Sequence, residues 1–197
     1  MRALAFLISI ALVFLSTSCG VHKQSNSNAI ETSVSYVTGN EGLVQTTFFG
    51  AKFGDEGQYA VKNTMSSNGI GHNWEPAEDN QWVAPNVEFA GRVWFAVDIK
   101  FTDNKFSHIG FLEKTKKKEE GQEIYTELYQ LLSRKYPLKN MSTTALGEDF
   151  YIFMDSIGNS VSLNLRFANE FDSWMVTLFY TWGKAMEIKE EKALNEI

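Results

Sequence analysis

The stretch RVWFAVDIKF, Arg92 to Phe101, alternates along its length. Val93, Phe95, Val97, Ile99 and Phe101 fall on one side, and Arg92, Trp94, Ala96, Asp98 and Lys100 on the other. A period of two is that of a half-buried antiparallel strand with an apolar row inward. Asn86 to Ala90 pairs with it through a turn at Gly91. Thr102-Asp103-Asn104-Lys105 turns it into FSHIGFLE, a second hairpin. The same alternation returns in SVSLNLRFA, where Val161, Leu163, Leu165 and Phe167 oppose Ser160, Ser162, Asn164 and Arg166. DFYIFMD before it and SWMVTLFYTW after it complete three strands.

The period lengthens in two places. From Glu119 to Tyr136, Ile124, Leu128, Leu131 and Leu132 form an apolar stripe flanked by Tyr125 and Tyr129. Glu119 and Glu120 sit at the positive end of this helix, Arg134 and Lys135 at its negative end, and Pro137 stops it. A shorter helix is expected from Glu56 to about Ser67. Asp55 and Gln58 offer a capping box, Val61 and Met65 share a face, and Asn68-Gly69 supplies the stop. GLVQTTFFGAKFG before it is β-rich, Thr32 to Thr38 suits an edge strand, and IGHNWEPAEDNQW after it makes a long polar loop. The tail from Lys184 suits a charged surface helix. The fold class is therefore α+β, an antiparallel sheet with helices packed on one face. Residues 53–113 and 119–182 each present a helix and then three strands; an internal duplication and a chance likeness both fit.

The N-terminus changes the picture. Met1-Arg2 precedes a run that is apolar from Ala3 to Leu15 apart from Ser9, followed by the small residues Ser16-Thr17-Ser18 and the single cysteine, Cys19. That is the plan of a secretory signal peptide. As a helix the run would span only ~20 Å, short of the ~30 Å of a bilayer core. With Cys19 at its end the segment resembles a bacterial lipoprotein signal, though the family prefers Leu where Ser16 stands and here Leu15 lies one position earlier. The resemblance implies cleavage before Cys19, a diacylglycerol thioether on its thiol and an acylated (palmitate-type) amine. Such chains hold a protein firmly to a membrane. A lipid-capped thiol also avoids the wrong disulfides that a lone cysteine invites outside the cytoplasm. Gly20 after the cysteine implies, by the same resemblance, an outer-membrane address, and Val21-His22-Lys23-Gln24 implies the periplasm-facing leaflet. The expected organisation is a signal over 1–18, lipidated Cys19 and a polar tether over 19–41, a globular domain over 42–183 and a charged tail over 184–197.

The helix-plus-strands units look similar to those of β-lactamase-inhibitor proteins and of the small lipoprotein in the outer-membrane barrel-assembly machinery. FFGAKFGDEGQYAV looks like the opening of small envelope lipoproteins of the Bacteroidetes type. No diagnostic motif travels with either resemblance, so neither implies an activity.

Composition excludes some partners. A net charge of −6 gives no footprint for nucleic acid. The fifteen Phe, seven Tyr and five Trp are ample for a core, which must hold without disulfides. Candidate chemistry is sparse. His72 and His108 are the only histidines of the folded region and lack the spacing of a metal site. DSIGN at Asp155–Asn159 is a hairpin turn rather than a calcium loop, and no motif calls for a cofactor. The loop residues His72, Trp74 and Trp82, with Trp94 on the side of its strand away from the apolar row, form the candidate binding surface. Lys114 to Glu120, KTKKKEE, is either a solvated connection or a contact for anionic headgroups. The expected role is a membrane-anchored envelope module that binds a protein or ligand. The competing class is a hydrolase using carboxylates such as Glu75, Asp79 and Glu148.

Overall fold

Two-residue turns organise the sheet. Phe49-Gly50, Ala90-Gly91 and Asp103-Asn104 all have positive φ at both positions, the geometry whose twist suits a tight hairpin. In a computed structural model that describes residues 42–143, 149–185, 187–188 and 191, they join successive strands. The expected signal, Cys19, the tether, the strand at Thr32–Thr38, Glu148 and most of the tail lie outside these residues. The strands are β1 (Thr47–Phe48), β2 (Ala51–Lys52), β3 (Glu75–Glu78), β4 (Gln81–Phe89), β5 (Arg92–Thr102), β6 (Lys105–Thr115), β7 (Leu138–Thr143), β8 (Asp149–Met154), β9 (Ser160–Ala168) and β10 (Ser173–Thr181). Helix α1 is Gln58–Met65 and α2 is Lys118–Lys135.

β1 and β2 pair alone. The other eight strands form one antiparallel sheet in the order β3-β4-β5-β6-β10-β9-β8-β7. Each helix is thus followed by four strands, not three, and the two sets meet through their fourth strands, β6 and β10. The two strands missing from the sequence reading are the edges. β3 lies inside the expected loop, where Glu75 pairs with Val83 and Pro76 with Trp82. β7 starts directly after the helix-stopping Pro137. Both are short and carry little alternation, as edges often do.

The main core is aromatic. Phe48 from the β1–β2 hairpin packs its ring 4.9 Å from Tyr180 and 5.6 Å from Phe53, and Phe89 stacks on Phe111 at 4.2 Å. Val61 and Met65 of α1 and Tyr125, Leu128 and Leu132 of α2 join the same cluster. Leu131 does not: it is 53 % exposed, and buried Gly121 and Tyr125 hold the inner face of α2 instead. The capping box also fails. Gly57 caps α1, Asp55 Oδ2 accepts from the Lys52 amide in the preceding turn, and Gln58 bonds elsewhere.

A clasp closes the domain where its described part begins. Asp155, at the turn between β8 and β9, accepts from the Val44 amide at 2.9 Å. The Gln45 amide donates to the Tyr136 hydroxyl at 3.4 Å, beside the C-terminal end of α2. Within the turn the Ile157 and Asn159 amides donate to Asp155 Oδ1, and Asn159 Nδ2 donates to Oδ2. The turn is a hairpin, as expected, and this carboxylate is its hub.

Candidate functional site

Alternation gives every strand two faces, and the expected solvent face of β5 is not one. Trp94 is 1 % exposed, sits in the main core 5.4 Å from Phe111 and donates its indole N–H to the Phe89 carbonyl. Val93, expected inside, is 60 % exposed. The cause lies in the neighbouring strand. Asn86 takes a left-handed φ of 54°, which asparagine tolerates, and Ala84 and Val87 either side of it both reach the main core. β5 follows, so that Trp94 and Val97 both point inward while Phe95 and Ala96 reach the second face. Trp94 is therefore a core residue and offers no surface to a partner.

Trp74 and Trp82 are also engaged within the fold. Trp74 donates its indole N–H to Ser66 Oγ at 2.8 Å, and Trp82 donates to Gln58 Oε1 at 2.9 Å. Buried Lys62 sits over the Trp82 ring, with its ammonium 2.8 Å from the ring centre and 4.8 Å from that of Tyr59. Burial pushes the Lys62 amine below its usual range, while the ring contacts favour its charge. Trp82 thus pins the β3–β4 hairpin to α1, and Trp74, just before β3, is tied to Ser66 just after α1. His72 alone of the expected set stands exposed. Glu75 and Asp79 are exposed on that hairpin, and no group of three His, Cys, Asp or Glu suited to a metal occurs among the described residues. One surface depression, about 620 Å³, runs along α2 past Lys118, Gln122, Thr126 and Gln130. A single helix lines it, and it holds no buried polar group.

The residues that converge lie on the second face of the sheet. Val83, Asp98, Gly110, Phe179 and Ser162 form one cross-strand row over β4, β5, β6, β10 and β9. Gln81, Lys100, His108, Thr181 and Ser160 form the next. Further along, Val83, Ala96, Leu112, Met175 and Ala168 make a small apolar cluster with half-buried Phe95 and Phe171 against it. Lys114 lies over both of those rings, at 5.2 and 5.1 Å. His108 is half-buried, as a residue on the face opposite Ile109 and Phe111, and its Nδ1 is 2.8 Å from Ser107 Oγ.

Asp98 is the unusual member. It is 5 % exposed, and Gln81 Nε2 donates to its Oδ2 at 2.9 Å. Oδ1 is buried without a hydrogen-bond partner among the described residues. A Cβ placed on Gly110 would overlap both Asp98 Oδ1 and the Phe179 ring edge, so glycine makes the space that both occupy. Burial pushes the carboxyl above the usual range. Lys100, the Gln81 amide and the backbone amides of Asp98 and Gly110 oppose this weakly. An acid in the middle of the apolar strand VWFAVDIKF was the available signal, hidden by its assignment to a solvent face.

No protein-family model, curated protein or solved structure matches this chain.

Proposed function

We propose that the protein is an envelope lipoprotein held to the membrane through lipidated Cys19, and that it works by binding a protein partner on the second face of its sheet. In this reading α1 and α2 cover one face and leave the other for docking. One observation carries it: the second-face cluster around Leu112 and Met175 contains no residue of α1 or α2, and half-buried Phe95 and Phe171 pack against it. Lys100 and Lys114 give this face a positive character on a chain of net charge −6, which suits acidic side chains on the partner. The helix side of the Trp74–Trp82 hairpin is engaged internally and is the poorer candidate.

Two measurements test the halves of this reading. Palmitate labelling of the full chain should be lost in Cys19→Ala; equal labelling, or none in either, removes the anchor. A photo-crosslinking residue at Ser162 or Thr181 in intact cells should give one discrete protein adduct, weakened by Lys114→Glu, whereas the same probe at Gln122 on α2 should give none. Equal adducts from both positions, or none from the sheet, removes the docking face.

A further inference from the structure

The buried carboxyl needs its own account, whatever the domain is anchored to or binds. Unsatisfied buried polar atoms are rare in folded proteins, and a charged one costs far more than a neutral one. Asp98 Oδ1 has no well-formed hydrogen bond among the described residues, only the backbone amides of Asp98 and Gly110 nearby, and the space it fills exists only because Gly110 has no side chain. The other occupant of that space is the ring of Phe179, directly opposite Gly110 and only half-buried. Of the groups closing over Asp98, the strand backbone and Val83 are held by the sheet, whereas the Phe179 ring can turn outward on its own χ1.

We propose that Asp98 and Phe179 form a proton-operated latch in the middle of the second face. With a proton on the carboxyl the ring lies seated over Gly110. When the carboxyl ionises, its bare oxygen draws in water, the ring leaves, and the floor of the face between β5 and β10 opens.

The groups around Asp98 define what sets the latch. Lys100 faces it from its own strand and His108 from β6, in the adjoining cross-strand row. β4 contributes Gln81 and Val83, and β10 contributes Phe179 and Thr181, none of which carries charge. Lys100 favours ionisation, and desolvation outweighs it in raising the carboxyl. Phe179 supplies part of that desolvation, so the ring and the proton hold each other in place.

The test is a pH titration of the full chain carrying ¹³C-labelled aspartate carboxyls and fluorinated phenylalanine. The Asp98 carboxyl should titrate above the ordinary aspartate value of about 3.9, with the Phe179 fluorine resonance moving at the same midpoint. In Asp98→Asn the Phe179 resonance should stay still across that range, and in His108→Gln it should move as in the parent. Phe179→Ala, which admits water, should bring the Asp98 midpoint down toward the ordinary value, and this reads the coupling even if Asp98→Asn does not fold. An Asp98 midpoint at or below the ordinary value overturns the latch. So does a Phe179 resonance that follows His108 or ignores Asp98, or an Asp98 midpoint unmoved in Phe179→Ala.

Discussion

Asp98 and Asp155 are buried to the same degree, 5 % and 6 % exposed, and are otherwise opposites. Asp155 accepts four hydrogen bonds, from the amides of Val44, Ile157 and Asn159 and from Asn159 Nδ2. Among the described residues Asp98 has one well-formed bond, from Gln81, with only the backbone amides of Asp98 and Gly110 besides. A carboxylate with four donors is a fastener: it joins the start of the described domain to the β8–β9 turn, and its neighbours depend on it. A carboxyl with a bare oxygen is a liability that the fold tolerates. Burial alone does not distinguish the two acids; the donors around them do.

Mutations that remove each group should show the contrast, and the largest effect belongs to Asp155. Asp155→Ala orphans several donors at once and should cost about 4 kcal/mol in chemical denaturation. A loss under about 1 kcal/mol would mean that the clasp is ornamental and the contrast false. Gly110→Ala comes next. Its methyl group must displace Asp98 Oδ1 or Phe179, at about 2 kcal/mol for overpacking, and Phe179→Leu in the same chain should recover part of the loss.

Asp98→Asn should have the smallest effect, leaving stability at neutral pH within about 1 kcal/mol of the parent or above it. The sign of its pH dependence sharpens the comparison. A carboxyl raised by burial holds its proton more tightly in the folded chain than in the unfolded one. Its stabilising contribution is whole below the ordinary aspartate range and is lost as pH rises through the raised folded value. Melting curves of Asp98→Asn should lack that decline. A parent whose stability, relative to that of Asp98→Asn, instead rises across the window would contradict the burial argument.

Much of this architecture could be read from the chain. β5, β6, β9 and β10 follow from period-two alternation, Asp103-Asn104 marks its own turn, and α2 begins and ends within one residue of the expected Glu119 and Tyr136. Such features are local. What failed depended on distant neighbours. Leu131 belongs to a plausible stripe, but the sheet selects the face bearing Gly121 and Tyr125. Trp94 changes sides because Asn86, on another strand, has a left-handed backbone. Asp98 looked solvated because its strand holds neither Gln81 nor Phe179, which bury it from positions 17 and 81 residues away (98 − 81 and 179 − 98). The candidate site was therefore the least readable part: it is made of pairings across strands, and single-strand periodicity is blind to those.

The hold of Asp155 and Tyr136 on residues 44 and 45 also decides where a pull on the N-terminal arm is felt. Force arriving there enters at the C-terminal end of α2, and the corner bearing Lys116, Lys117 and Lys118 lies at the other end, about 27 Å of helix away.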